Sequence, residues 1–234
     1  MKRAPKLPAA LLVGAGLLAG CGGGDDGARP GPPPSTGRAA LAGTGYTSDQ
    51  LEQALLTDLP GFRRVGEPES GEYGTLAPVQ RVEQLQRQVR IDKKRCSDAT
   101  GERVIDRTMP AAITSFAKSN GVSATQTLLG VPDAEAEDLV KVRVPAGCQT
   151  FRTTVGTQSS DHRVVELPPG TLGEGSRTVG VSTVSGNSNT KSWYVVLRGR
   201  RHVVTISLYG PVATRTAAED IARAAADQAR RVLP

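Results

Sequence analysis

From Val140 to Tyr209 apolar and polar residues alternate in a succession of short runs, and this two-residue period constrains the fold more than any other feature of the chain. Alternation sends successive side chains to opposite sides of a pleated strand, so each run predicts a strand with one dry and one wet face. Val140, Val142 and Val144 alternate with Lys141 and Arg143, and residues 149–155, 162–167 and 178–184 continue in the same manner. Ser185-Gly186-Asn187-Ser188-Asn189 is a turn cluster, which pairs 178–184 with 192–198 as a hairpin. Gly199-Arg200 is a tight turn into His202–Tyr209, where Val204, Ile206 and Leu208 alternate with Val203, Thr205 and Ser207. The expected result is an antiparallel meander of about five to six strands.

The segments before and after the meander carry the helical period. Thr47-Ser48-Asp49-Gln50 offers caps, and Leu51, Ala54, Leu55 and Leu59 follow at helical spacing, predicting a helix over 48–58 that Leu59-Pro60-Gly61 ends. Residues 62–65 read as a short strand and 67–78 as a loop. A second helix is expected over 79–95, with Val82, Leu85 and Val89 as its apolar stripe and Arg87, Arg90 and Lys94 on another face. Those cations suit the C-terminal end of a helix dipole, or contact a lipid or another anionic surface. Pro110 reads as the first turn of a third helix that buries Ile113, Phe116 and Ala117 and closes at Asn120-Gly121. After Pro211, Thr216-Ala217-Ala218-Glu219 reads as the capping box of a last helix. Its stripe is Ile221, Ala225, Ala229 and Val232, and Glu219–Arg223 and Asp227–Arg231 are its ion pairs. Helices, then strands, then a helix predict an α+β fold whose antiparallel sheet is covered on one face and wetter on the other.

The first residues concern location. Lys2, Arg3 and Lys6 precede an apolar stretch from Ala9 to Ala19, the arrangement of an export signal over residues 1–20. Leu18-Ala19-Gly20-Cys21 matches the bacterial lipobox, in which a diacylglycerol is attached to the Cys21 thiol before cleavage. About 11 apolar residues fall short of the roughly 20 that span a bilayer, so lipid on Cys21 is the expected membrane anchor. Residues 21–45 hold eight Gly and four Pro after the cysteine and read as a flexible leash of roughly 25 to 30 Å. Residues 46–234 form the one globular domain, expected as a monomer at the outer face of the cytoplasmic membrane. Cys96 and Cys148 remain as an even pair in an oxidising compartment, where a disulfide is the economical reading.

Loss of the signal removes three of 29 bases, leaving 26 against 23 acids. A charge near +3 and 3% aromatics give nucleic-acid binding no support. Nor does a catalytic pattern emerge. No G-x-S-x-G, H-E-x-x-H or P-loop string occurs, and the Gly14-Ala15-Gly16 match to a dinucleotide loop lies inside the export signal. Asp161-His162 is the only adjacent acid and imidazole, and His202 sits between arginines and a strand; each His reads as a strand-surface residue. Asp133, Glu135, Glu137 and Asp138 do not follow the spacing of a calcium loop and read as a helix or turn entry, so neither a metal nor a cofactor is expected. Trp193 and Tyr194 point to opposite faces of their strand, one to the core and one outward. With Phe151 and Tyr209 they are the candidate contacts to a ligand or partner.

A lipobox, a Gly/Pro leash, the segment Leu55–Phe62 (LLTDLPGF), paired cysteines and a Trp193 hairpin running into an amphipathic helix together resemble actinobacterial lipoproteins. Within them the layout over residues 48–233 is most similar to the PknH-like extracellular sensor domains, found on receptor kinases and on free lipoproteins. The resemblance implies an antiparallel sheet flanked by helices, a cleft for a ligand, and no catalytic residues. Such domains commonly carry two disulfides, whereas this chain has cysteines for one. The PsbP-like envelope lipoprotein fold is the second resemblance. The function expected is a membrane-tethered, non-enzymatic ligand-binding or sensor-like module, meeting a small hydrophobic or cell-wall ligand or an envelope protein. A hydrolase with a dispersed site based on His162 or His202, and a purely structural envelope protein, are the competing readings.

Overall fold

The structure is a computed structural model that describes residues 45–97, 105–170, 172 and 175–234. The export signal, Cys21 and the leash through Thr44 lie outside the described residues. The chain divides into two units, and the second, Arg38–Pro234, carries every described α-helix and strand, with short 3-10 turns at Tyr73–Thr75 and Lys94–Cys96. In order these are α1 (Ser48–Gln53), β1 (Arg63–Arg64), β2 (Glu69–Glu72), α2 (Ala77–Gln86), β3 (Arg90–Ile91), β4 (Pro110–Ala117), β5 (Ser123–Gly130) and α3 (Asp133–Lys141). Then follow β6 (Thr150–Val155), β7 (Gln158–Glu166), β8 (Ser176–Ser185), β9 (Ser188–Arg198), β10 (His202–Gly210) and α4 (Arg215–Val232).

The fold is α+β, and its strands make one antiparallel ten-stranded sheet, ordered β1-β4-β5-β10-β9-β8-β7-β6-β3 with β2 also on β4. The sheet is larger than the expected meander because residues 110–130 form two strands, β2 lies in the segment expected as a loop, and β3 lies in the expected second helix. Pro110 opens β4, and Asn120-Gly121 is the turn of a β4–β5 hairpin instead of a helix end. Gly121 takes φ +78°, and the Lys118 amide donates to the Val122 carbonyl across the turn.

Two further expectations are corrected. Residues 140–144 are not a strand: Val140 lies in α3, where it and Ala136 are buried at i,i+4 spacing, and the Val142 amide closes the helix on the Asp138 carbonyl. Three valines two apart are too few to separate the two periods. The second helix stops at Gln86 instead of Arg95. Arg90 and Ile91 pair with Thr154 and Thr153 of β6, and Cys96 is bonded to Cys148, so strand pairing and a covalent link override helical propensity. Arg87, Arg90 and Lys94 therefore do not share a helix face.

The first helix has the capping box read from Thr47 and Gln50 but ends at Gln53, not Asp58. The last helix is capped by Thr214, whose hydroxyl accepts from the Ala217 amide, two residues before the expected box. Its ion pairs are Arg215–Glu219, Asp220–Arg223 and Asp227–Arg230. Ile221, Ala225 and Ala229 are buried as read, while Val232 is exposed and Leu233 takes the buried place.

Strand register sorts the side chains onto two faces. One carries Phe116, Leu128, Val195, Ile206 and Leu208 and packs under α1 and the Ala-rich stripe of α4, where small side chains let the helix lie close. Gly180 belongs to this face too. It stands opposite Trp193, whose ring would lie 2.6 Å from a Cβ placed there. The second face carries Ala111, Ile113, Leu129 and Val203, packed against Leu76 and Val79 at the start of α2 and Ala136 of α3. Helices thus cover parts of both faces, which corrects the single covered face expected.

Candidate functional site

The second face holds a cleft of about 490 Å³ between α2 and strands β4, β5 and β10. Its walls are apolar: Tyr73, Val79 and Val82 on one side, Ile105, Ile113 and Leu129 on the other. Its floor is a grid of hydroxyls, because β5 and β10 pair Thr127 with Thr205 and Thr125 with Ser207, and every second residue of each strand points the same way. Thr125 shares a hydrogen bond with Ser115 (3.2 Å). The half-buried hydroxyls of Thr127, Thr205 and Ser207 have no partner among the described residues.

The architecture of α2 keeps this space open. Glu69 of β2 accepts from the Ala77 amide (2.9 Å), which fastens the first turn of the helix to the sheet. Val79 is the only buried residue of α2, and the second half of the helix stands off the sheet. Glu83 reaches across the rim to Arg107, which also donates to the Gly74 carbonyl (3.1 Å). The rim charges neutralise each other, so the cleft suits an uncharged guest with an apolar body and a few hydrogen-bonding groups.

A second, more open hollow of about 610 Å³ lies over β6, β7 and β8. Three of its charged groups are engaged with one another: Arg152 holds Asp161 through two bonds (2.8 and 3.2 Å), and the Arg152 amide donates to Asp92 (2.9 Å). The guanidinium holds the Asp161 carboxyl below its ordinary pKa. His162, whose side chain projects from the opposite face to Asp161, stacks on Phe151 at 4.7 Å and has Thr153 (2.7 Å) and Thr183 (2.9 Å) hydroxyls on its two nitrogens. Asp161 and His162 therefore form no acid–base pair. His202, expected at a strand surface, is 3% exposed, with Nδ1 against the Arg200 carbonyl (2.9 Å) and its ring edge-on to Tyr46. Burial depresses the pKa of both imidazoles.

The residues singled out from sequence are dispersed. Trp193 packs half-buried on the closed-face core, and Tyr194 is half-buried on the other face beside Ser207. The two rings lie on opposite faces as read, but the outward one, Tyr194, is half-buried instead of exposed. Phe151 borders the second hollow, and Tyr209 is exposed near the end of β10. None of the four lines the cleft. Arg87, Arg90 and Lys94 are exposed along the connection leaving α2. Cys96 and Cys148 are joined and buried, as read. The acidic run at 133–138 is the first turns of α3, and Glu137 pairs with Lys141 and Arg198. Among the described residues no cluster of side chains could hold a metal ion, and no helix is long and apolar enough to cross a membrane.

Sequence reasoning missed the cleft lining. Thr205 and Ser207 were legible as the polar side of an alternating strand. Thr125 and Thr127 were not, because the intervening Gln126 is a polar residue in the core, its side-chain oxygen accepting from the Leu56 amide (2.9 Å).

No family model matches the chain, and no curated protein does. Among solved structures the fold is similar to the extracellular domain of PknH from Mycobacterium tuberculosis, with a TM-score of 0.56 and 11% identity, over 80% of this chain and 98% of that one. An uncharacterized protein from Mycobacterium smegmatis aligns with a TM-score of 0.44 and 14% identity, over 82% of this chain and 97% of that one. The first likeness shows the fold alone, that of the PknH extracellular domain, and the PknH-like resemblance read from sequence points to the same fold.

Proposed function

We propose that this chain is a lipid-anchored, extracytoplasmic binding module that takes a small hydrophobic or cell-wall ligand in the cleft beneath α2 and acts as a sensor-like domain without catalysing a reaction. The observation that carries the reading is the pairing of apolar walls with half-buried hydroxyls that have no partner among the described residues. Half-buried polar groups of this kind gain most when a guest supplies the missing hydrogen bonds. The fold likeness to an extracellular domain supports the location, and the lipobox ending at Cys21 supports the anchor.

Native mass spectrometry of the protein extracted from membranes in mild detergent tests the binding. A bound small molecule is expected, and Thr205→Trp, which fills the cleft floor, should release it without lowering the melting temperature by more than a few degrees. An empty wild-type protein that also ignores an apolar fluorescent probe would refute the binding. Peptide mass spectrometry tests the anchor separately, with a diacylglyceryl thioether expected on Cys21 and an unmodified thiol contradicting it.

A further inference from the structure

We infer that the ribbon from α2 through β3 to Cys96 is a second membrane contact, a surface that docks the folded domain onto an anionic phospholipid bilayer. Between residues 81 and 95 six cations face two carboxylates, whereas the rest of the chain after residue 20 has 20 bases against 21 acids. The positive charge of the domain is thus concentrated in one stretch. Both carboxylates are engaged elsewhere, Glu83 with Arg107 and Asp92 with the Arg152 amide. Arg87, Arg90 and Lys94 make no ion pair among the described residues, although Arg107, Arg152, Arg177 and Arg198 do.

Apolar side chains stand exposed within the same stretch. Leu85 is 62% exposed, and Val89, also exposed, follows it where the helix has ended. One exposed leucine is ordinary, but Leu85 and Val89, interleaved with cations that make no ion pair among the described residues, have the chemistry of an interfacial segment, while Val82 faces the cleft. The aliphatic groups enter the boundary between headgroups and acyl chains while the guanidinium and ammonium groups meet the phosphates. Charge complementarity selects an anionic bilayer over a neutral one. The inference does not depend on the cleft's occupancy. Together with the lipid anchor proposed for Cys21, a cationic face of this kind settles the domain in one orientation on the bilayer.

The unit Arg38–Pro234, which contains the whole sheet, its helices and the disulfide, allows a test free of the anchor. Its co-sedimentation is measured with vesicles of phosphatidylcholine alone and of phosphatidylcholine with about one part in three phosphatidylglycerol. Binding is expected only to the second and should weaken as salt rises. Arg87→Glu with Arg90→Glu should lower the partition coefficient by about tenfold or more, and Leu85→Ser by roughly threefold, with unchanged melting temperatures. Thr205→Trp should leave vesicle binding intact, which separates failure here from failure of the cleft. Equal binding to both vesicle types, no binding to either, or charge reversal without effect would overturn the inference.

Discussion

The two faces of the sheet use the same strands to opposite ends. Under α1 and α4 the residues Phe116, Leu128, Ile206 and Leu208 are almost wholly removed from water, and an 18-residue helix lies along them on alanines. Across the same strands, α2 buries one valine and leaves a cleft floored by hydroxyls. A strand cannot vary its two sides independently of register, yet alternate residues can be chosen separately. Closed packing on one side supplies the rigidity that lets the other side stay open.

Four variants, and after them a change of pH, would break or sharpen this contrast. The largest effect is expected from Cys96→Ser with Cys148→Ser: the bond fastens the weakly packed α2–β3 ribbon to β6, and its loss should cost about 4 kcal/mol by denaturant titration on the loop-entropy account. Leu128→Ala on the closed face should cost about 3 kcal/mol, read from the denaturation midpoint. Gly180→Ala should cost about 2 kcal/mol, because the new methyl meets the Trp193 ring and must push it out of the core. On the open face Val82→Ser should change stability by less than about 0.5 kcal/mol while weakening ligand retention. An effect of that substitution equal to Leu128→Ala would mean that α2 is packed as tightly as α4.

A smaller effect is expected from pH. Burial lowers the imidazole pKa of His202 and of His162 in the folded protein, so the fold favours their neutral forms. Their contribution is complete above about pH 6.5 and drains away as pH falls below it, since the unfolded chain binds the proton first. The melting temperature should decline between about pH 7 and 5, and His202→Asn should flatten part of the slope.

Much of the meander was legible because five strands carry alternation bounded by turn residues, and the turns at Gly186 and Gly199-Arg200 fall where the sequence puts them. The β4–β5 hairpin was not, because Pro110 and Asn120-Gly121 are as much helix punctuation as hairpin punctuation, and only long-range pairing decides between them. Of the site, Thr205 and Ser207 lay on a strand already read, but nothing local announces that Val79 and Val82 hang above them. A cleft is a tertiary object: the aromatic contact candidates are conspicuous by type, whereas the cleft, Tyr73 apart, is lined mainly by threonines, a serine and aliphatic residues that any strand or helix could carry.

The most direct measurement is a crystal structure of Arg38–Pro234 soaked with a bromine-labelled fatty alcohol, read by anomalous scattering. Binding beneath α2 predicts a bromine peak between Val79 and the Thr127–Thr205 floor, absent in Thr205→Trp. A peak confined to the hollow beside Arg152 and Asp161, or no peak at all, would contradict it.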